Sequence, residues 1–481
     1  MITRRAIRFV DERVGASPGL KKALSYVFAD HWSFMLGEIA LYAFVVLVAT
    51  GVYLTFFYVP SSSMAVYRGP YVPLHGMLAS EAYRSVVDIS LSVPAGLVIR
   101  QTHHWAADVF VAAIVVHLFR IFFTGAYRKP RDINYWIGVT MLGLAIFEGF
   151  LGYSLIDDLL SGQGLAIAYG VGMSIPIVGA NLTFLAFNGQ FPGGPQFIPR
   201  MFIVHVLVVP VALATLITIH LITIARQHHT QFPGPGRTER NVVGTPTWPG
   251  YALRSIGLLL AVAGLLFLLG GLIQINPIWQ WGPFHTYLST NGAQPDWYLG
   301  WLIGAMRLMP NFEPQFVAAT LVPNPFWGGL LFPTLVFAFL YAWPVIERRR
   351  TGDYRRHELL ERPRDNPTRT AVGAAVASWT FFVFIAGAFD RVYFRLEIPY
   401  EGQIWFGRIA TFVVPVIVFF VTRRVCRELK RSERHPLRGW YGSVVRRTPS
   451  GGYVAEPDVD DASMVAEDAR AREPSRGSTL P

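Results

Sequence analysis

The sequence predicts an all-α, polytopic transmembrane bundle of eight spans, and three observations support this. Hydrophobic residues make up 52% of the 481-residue chain and charged residues only 15%, whereas soluble proteins carry about 25% charged residues. Eight apolar runs reach the roughly 20 residues that a spanning helix needs. Most of the 42 Lys and Arg residues lie in alternate connections between these runs, a pattern typical of membrane topology. The net charge of +11 therefore does not indicate nucleic-acid binding.

The predicted spans are numbered α1 to α8 in chain order. An amphipathic surface segment, residues 1–35, precedes them, and a polar tail, residues 426–481, is predicted to be disordered and cytoplasmic. The basic connections share the side of the N-terminus, which predicts that both termini are cytoplasmic and that the odd-numbered spans run outward. The spans lie at about 36–58, 104–124, 136–156, 203–225, 252–273, 326–346, 371–389 and 406–422.

Four histidines in the apolar runs indicate cofactor ligands at two depths. His103 and His117 are 14 residues apart on α2, and His205 and His220 are 15 apart on α4. Ideal helix geometry leaves the two pairs about 40° and about 60° apart in azimuth and roughly 21–22 Å apart along the axis. Because α2 and α4 run in the same direction, the imidazoles form two tiers, which two bis-histidine haems require. Ionisable groups at membrane depth are functional-site candidates.

Two alternatives to this ligand set are open. His104 competes with His103, but it lies about 140° from the face of His117, which favours His103. Helix-packing or interfacial histidines would explain any one of these residues, although four with matched spacing argue against that. A single cysteine, Cys426, leaves no motif for covalent attachment, so the haems are predicted to be non-covalent.

Glycines repeat with the same interval as the histidines of α2. Gly37 and Gly51 on α1 are 14 residues apart, as are Gly138 and Gly152 on α3. A macrocycle wedged between helices needs close backbone approach, which glycine permits. Ordinary small-residue packing is the alternative.

Three arginines are candidates for binding haem propionates, because guanidinium pairs with carboxylates through two hydrogen bonds. Arg100 lies three residues before His103, and Arg120 lies three residues after His117. Arg200 lies five residues before the first histidine of α4. Interfacial snorkelling explains Arg100 and Arg200 equally well, whereas Arg120 lies deeper.

At these residues the sequence resembles the cytochrome b family over roughly residues 20–425. The family comprises the mitochondrial and bacterial cytochrome bc complexes and their chloroplast equivalent. The run 229–244 is similar to that of actinobacterial members, which are menaquinol–cytochrome c reductases. The other resembling stretches are Arg100-x-x-His103, His117-x-x-Arg120, the glycine pairs, Gly152-Tyr153, the loop 174–182 and Pro295-Asp296-Trp297-Tyr298.

The resemblance implies which histidines hold which haem. His103 and His205 would bind the low-potential haem near the outer face. His117 and His220 would bind the high-potential haem near the cytoplasmic face.

The resemblance also implies an outer quinol-oxidation pocket. Its expected lining is Pro295, Asp296, Trp297 and Tyr298 together with Tyr153 and Gly164, and the expected catalytic residues are Asp296, Tyr298 and Tyr153. The family's usual glutamate is Asp296 here, and burial would have to raise its pKa for efficient proton acceptance. Capping of a short helix is the alternative role for Asp296.

The implied function is that of the catalytic cytochrome b subunit of a respiratory quinol–cytochrome c oxidoreductase in a bacterial plasma membrane. It would oxidise quinol, expected to be menaquinol, near the outer face. One electron would cross two b haems to a quinone near the cytoplasmic face, coupled to proton translocation. The expected partners are a Rieske-type iron–sulfur subunit, a cytochrome c subunit, a second copy of the chain, membrane lipid and a terminal oxidase.

These expectations divide the chain into a four-helix di-haem domain, residues 36–230, and a C-terminal transmembrane domain, residues 231–425. Two alternative functions are a haem-b membrane anchor of a different dehydrogenase and a non-redox transporter. An anchor usually has four or five spans and no Pro-x-Trp-Tyr loop, and a transporter predicts no haem.

Overall fold

The computed structural model describes residues 9, 11–13, 15–290, 294–316, 319–434, 443–447 and 453–457. Within these residues, eight helices are long and apolar enough to cross a membrane, which confirms the predicted all-α fold with eight spans. Their bounds are α1 Trp32–Thr55, α2 Gly96–Phe123, α3 Asp132–Ser154, α4 Phe197–Gln227, α5 Thr247–Leu272, α6 Trp327–Thr351, α7 Pro367–Ala386 and α8 Tyr400–Arg431.

Two helices extend well beyond their predicted ends. Helix α2 begins at Gly96, so that Arg100 and His103 are helical rather than part of a loop. Helix α8 continues to Arg434 and so includes the start of the predicted tail. Of the remaining tail, 443–447 and 453–457 form a pair of antiparallel strands, and the rest lies outside the described residues.

Helix α4 contains a π-helical turn at Val204–Val208, which includes His205. A π turn closes its hydrogen bond one residue later than an α turn, so it takes up one extra residue. The 15-residue interval between His205 and His220 therefore spans nearly the same rotation as the 14-residue interval on α2. The sequence estimate of about 60° assumed an uninterrupted α-helix.

Shorter elements occupy the segment before α1 and the connections between the spans. The short helices are Ala16–Leu24, Glu81–Leu91, Leu159–Met173, Gly179–Phe187, Ile278–Trp281, Gly300–Leu308 and Phe389–Leu396, with 3₁₀ turns at Val72–Leu74, Trp297–Leu299 and Pro363–Asp365. The paired strands are Val27–Ala29 with Gly244–Pro246, Met64–Val66 with Leu78–Ser80, and Gln315–Phe316 with Ala319–Thr320.

Alternate connections gather at opposite ends of the bundle, as antiparallel neighbouring spans require. At one end, the hydroxyl of Tyr58, after α1, donates to the carbonyl of Leu155, after α3, at 2.7 Å. At the other end, the guanidinium of Arg131, before α3, donates to the carbonyls of His228, at 2.8 Å, and His357, at 2.7 Å. These bonds join connections that are distant in sequence.

The main core lies where α1 to α5 pack together. Helix α1 packs along α2, α3 packs beside α4, and α5 lies against both α1 and α2. Ala43 on α1 and Ala106 on α2 are fully buried, and small residues of this kind let membrane helices approach closely. This packing fixes the facing surfaces of α2 and α4, where the four histidines lie.

Candidate functional site

The first histidine of α2 faces the first histidine of α4. The ring centroids of His103 and His205 are 6.4 Å apart, with the ring planes at 84°. Two metal–nitrogen bonds of about 2 Å, plus the distances from each nitrogen to its ring centre, give a span of about 6 Å. The two imidazoles are therefore spaced to bind one metal ion between them.

Each ring of this upper tier has a different neighbour at Nδ1. Nδ1 of His103 lies 2.9 Å from the hydroxyl of Thr50 on α1. Nδ1 of His205 lies 2.9 Å from a carboxylate oxygen of Glu148 on α3. Helices α1 and α3 thus supply groups that can fix the ring orientations.

The second histidines form the lower tier. His117 and His220 lie close enough to interact electrostatically. Nδ1 of each is buried without a hydrogen-bond partner among the described residues. Two buried imidazoles that lie this close together are suited to ligating a group between them.

Three of the four predicted glycines face histidine rings. A Cβ on Gly51 would lie 3.2 Å from Cε1 of His103, and one on Gly37 would lie 3.3 Å from Cε1 of His117. A Cβ on Gly152 would lie only 2.7 Å from Cε1 of His205. These glycines thus give α1 and α3 room for the imidazoles.

The fourth glycine, Gly138, differs from the other three. A Cβ there would meet no described atom within 4 Å. The side of α3 at Gly138 is therefore open, whereas at Gly152 it is filled by an imidazole.

The predicted arginines differ in burial. Arg100 is 7% exposed; its Nε donates to the hydroxyl of Ser90 at 2.9 Å, and its Nη2 has no partner among the described groups. Arg120 lies with its guanidinium carbon 4.5 Å from the centre of the Phe34 ring, and its Nε and Nη2 are also buried without described partners. Arg200 is exposed. Two guanidinium groups therefore have free donors next to the histidine tiers.

A cavity of about 450 Å³ lies at the end of the bundle that holds the upper tier. Three residues of the predicted quinol pocket, Tyr153, Gly164 and Pro295, line it. Asp296, Trp297 and Tyr298 of the same prediction are not in the lining. Three of the six predicted pocket residues therefore line this cavity, and the other three lie outside its lining.

The side chain of Asp296 is turned toward α2. Its Oδ1 lies 2.8 Å from Nε2 of His104, and its Oδ2 accepts a hydrogen bond from the hydroxyl of Tyr298 at 2.9 Å. Burial alone would raise the pKa of Asp296, but the charge of His104 and both hydrogen bonds outweigh it and lower the pKa below its ordinary value. This is opposite to the raised pKa expected from burial alone.

Comparison with known proteins identifies the family. The family description "Cytochrome b(N-terminal)/b6/petB" matches residues 108–283. The cytochrome bc1 complex cytochrome b subunit of Mycobacterium tuberculosis H37Rv is 46% identical over 455 residues, which cover 94% of this chain and 82% of that protein. The corresponding subunit of Streptomyces coelicolor is 44% identical over 451 residues, with the same coverage. The chain belongs to the cytochrome b family.

A solved structure supports the fold of this cytochrome b. A chain of "Hyperthermophilic respiratory Complex III" superposes with a TM-score of 0.65 and 19% sequence identity, covering 88% of this chain and 99% of that one. At this level of identity the likeness concerns the fold alone.

Haem b is the cofactor that the cytochrome b family implies, and the described residues fit it. The ring spacing of His103 and His205 suits axial ligation. The unpartnered donors of Arg100 and Arg120 are suited to propionates. The open side of α3 at Gly138 leaves room beside the lower tier.

Sequence reasoning missed a charged group on the cavity wall of this cytochrome b. Arg307 and Asp390 line the cavity and form a paired contact, with Nη1–Oδ1 and Nη2–Oδ2 distances of 3.0 and 3.1 Å. The amide of Gln294, next to Pro295, donates to Asp390 at 2.6 Å. Arg307 could have signalled this pair, because arginine is rare in the connections predicted to lie outside, but its partner Asp390 lies 83 residues away in the sequence.

Sequence reasoning also missed the partners of Asp296. Helical spacing presents His104 only as a competitor of His103 for the haem. Asp108, one turn after His104, completes a three-residue cluster whose ligand atoms all lie within 4.8 Å of one another. The spacing of His104 and Asp108 by one helical turn was visible in the sequence. That the loop carrying Asp296 packs against these two residues was not.

A polar group lies at the opposite end of the bundle, near the N-terminus. Glu38 on α1 accepts hydrogen bonds from Ser255 at 2.7 Å and Tyr42 at 3.1 Å, and from the hydroxyl of Tyr251. The ring of Tyr251 stacks on Phe28 with centroids 3.8 Å apart. This end therefore also combines a carboxylate with aromatic rings.

Proposed function

We propose that the chain is the di-haem cytochrome b subunit of a bc1-type quinol–cytochrome c reductase. Quinol is oxidised at the cavity lined by Tyr153, Gly164 and Pro295, and a quinone is reduced at the opposite end, near Glu38. The observation that carries the proposal is the 6.4 Å spacing of the His103 and His205 rings.

The four histidines hold two haems, one at each tier. His103 and His205 bind the outer one, and His117 and His220 bind the inner one. Arg100 and Arg120 donate to their propionates, and we keep Arg200 as a surface candidate. When bound, the haems supply one-electron carriers between the two ends of the bundle.

The cavity residues bind and orient quinol. The apolar wall of the cavity suits a quinol ring with a long prenyl tail, and we infer menaquinol as the substrate. Asp296 is the proton acceptor: its pKa is lowered while it contacts His104 and Tyr298, and it rises once the side chain leaves His104, because burial then dominates. The quinol hydroxyl reaches it when the side chain leaves His104 and turns toward the cavity that Pro295 already lines.

Partner subunits complete the reaction. Oxidation of quinol releases two electrons, and one must go to an acceptor outside this chain, because a single cysteine cannot hold an iron–sulfur cluster. We infer a Rieske-type iron–sulfur subunit, a cytochrome c subunit, a second copy of this chain and a terminal oxidase. From the basic connections we infer that both termini lie in the cytoplasm of a bacterium and that the cavity faces outward.

Reduced-minus-oxidised spectra of the purified complex test the proposal. We expect two b-type haems per chain, with His117→Leu and His220→Leu each losing one haem and retaining the other. His285→Gln, which removes a histidine of the α5–α6 connection, is the control and keeps both. A protein without bound haem, or ligand variants with two haems, would refute the function.

A further inference from the structure

Glu148 is a partly buried acid on α3 that neither the quinol cavity nor the histidine ligand set includes. Its side chain is 16% exposed and lies within a spanning helix. A carboxylate at this depth is costly to keep, so it requires a specific partner or function. One oxygen lies 2.9 Å from Nδ1 of His205, and the other has no hydrogen-bond partner among the described residues.

The contact is exclusive on the histidine side as well. Nδ1 of His205 lies within 2.9 Å of Glu148 and has no other hydrogen-bond partner in the described part of the chain. Among the described residues, neither Glu148 nor His205 forms an ion pair with any third residue. Helix α3 holds Glu148 one turn before Gly152, which makes room for the same imidazole.

The other three predicted ligands lack such a carboxylate in the described residues. Nδ1 of His103 lies beside the neutral hydroxyl of Thr50. Nδ1 of His117 and Nδ1 of His220 have no hydrogen-bond partner there. The acid is therefore specific to one ligand of one tier.

We propose that Glu148 is a positioning and tuning residue for the outer haem, acting through Nδ1 of His205. Groups that accept from the distal nitrogen of a ligating imidazole fix its orientation and raise its basicity. A more basic ligand stabilises the oxidised iron, which lowers the reduction potential. The proposal rests on the proposed function, and it gives a physical reason why the outer haem has the lower potential.

Potentiometric titration of the purified complex tests this proposal. We expect Glu148→Gln to retain two haems and to shift the outer haem toward the reduced form about tenfold, which is about 59 mV for a one-electron couple. The inner haem serves as an internal reference, and its potential should not move. The outer haem is identified as the one whose absorbance band is lost in His103→Leu.

Three further measurements separate tuning from a general structural effect. Glu148→Asp, which keeps the charge one methylene further away, should give a smaller shift. Glu401→Gln, at the exposed start of α8, removes the same charge elsewhere and should leave both potentials unchanged. The electron paramagnetic resonance g values of the oxidised outer haem should change in Glu148→Gln.

The outcomes for the two proposals are distinct. Absence of haem from the unmodified protein would refute the proposed function. Two haems with unchanged outer potential and g values in Glu148→Gln would refute the tuning role alone. Equal shifts in the reduction potentials of both haems would also refute the tuning role, because they would show that the substitution acts on the whole protein and not through His205.

Discussion

Nε2 of His104 and Oδ1 of Asp296 lie 2.8 Å apart, which joins α2 to the loop before Gly300. His104 follows His103, the proposed outer haem ligand, directly in the chain. Because consecutive residues are about 100° apart around a helix, the proposed haem-binding face of α2 and the loop that carries Asp296 meet different faces of one helical turn. A change at Asp296 should affect quinol oxidation first and the haem sites much less.

Asp296→Asn should slow quinol oxidation by about 10²-fold or more, because an amide cannot accept the proton and proton-transfer catalysis contributes about that much. Steady-state quinol:cytochrome c turnover measures the effect, with both haem spectra intact. Asp353→Asn, near the other end of the bundle, is the control. Unchanged turnover in Asp296→Asn would remove this residue from the proton path.

Gly164→Val should raise the KM for quinol by narrowing the cavity. A Cβ at this position would already lie 3.1 Å from Cε1 of Tyr153. Overpacking costs about 1–3 kcal/mol, or about 5- to 150-fold in affinity. Gly170→Val lies on the same helix, where a Cβ meets nothing within 4 Å, and should keep the normal KM. An equal effect of the two substitutions would contradict the assignment of the cavity.

Gly138→Leu should cause loss of the inner haem, since we place the cofactor against the open side of α3. No described atom lies within 4 Å of a Cβ there, so the substitution creates no close protein contact at that atom. Gly264→Leu on α5, which is equally open, should retain both haems. Quantitation of haem per chain makes the comparison, and full occupancy in Gly138→Leu would place the inner haem elsewhere.

Asp158→Asn should change how stability depends on pH. Asp158 is fully buried, and burial raises its pKa to about 6. Because the folded state binds this proton more tightly than the unfolded state, the protonated carboxyl favours folding. That stability is present below about pH 4 and is lost as the pH rises through about 6.

The asparagine variant should therefore become more stable relative to the parent across that window, by at most about 3 kcal/mol. Its amide oxygen can still accept from the backbone N–H of Ser161, which now donates to Oδ1 of Asp158 at 2.8 Å. Thermal unfolding of the detergent-solubilised protein at pH 4 and pH 7 measures this difference. A constant difference at the two pH values would disprove the titration of Asp158.

Arg369→Met should destabilise the protein by about 3–5 kcal/mol, because it leaves the buried carboxylate of Glu347 without its ionic partner. Arg369 is 2% exposed, and it contacts Glu347 at 2.7 Å and Glu361 at 2.5 Å. Arg362→Met, at a half-exposed position, is the matched control and should cost less than about 1 kcal/mol. Urea unfolding in detergent gives the free energies of unfolding, and equal losses would refute the role of burial.

The number and type of the spans followed from sequence because apolar runs of that length have few alternatives in a membrane. The tiers of histidines followed from helical periodicity, which is a local property. The π turn at Val204–Val208 was not predictable, because it depends on hydrogen bonding rather than on hydrophobic spacing. Its position within α4 nevertheless explains why a 15-residue interval can match one of 14.

The cavity was only partly predictable from sequence. Tyr153 and Pro295 belong to motifs that the sequence displays, Gly164 was implied by the family resemblance, and all three line the cavity. The pair Arg307–Asp390 depends on a contact between distant connections, which no local pattern encodes. The orientation of Asp296 toward His104 depends on the same kind of long-range contact.

The strand Val27–Ala29 pairs with the strand Gly244–Pro246, which lies in the connection between α4 and α5. A chain emerging from the ribosome therefore presents the first of these strands long before the second exists. Until four helices have entered the bilayer, the backbone of Val27–Ala29 lacks its eventual hydrogen-bond partner. Pairing of these two strands should thus mark completion of the proposed haem-binding half of the molecule during synthesis, and nascent chains halted before residue 244 should leave Val27–Ala29 accessible to proteases.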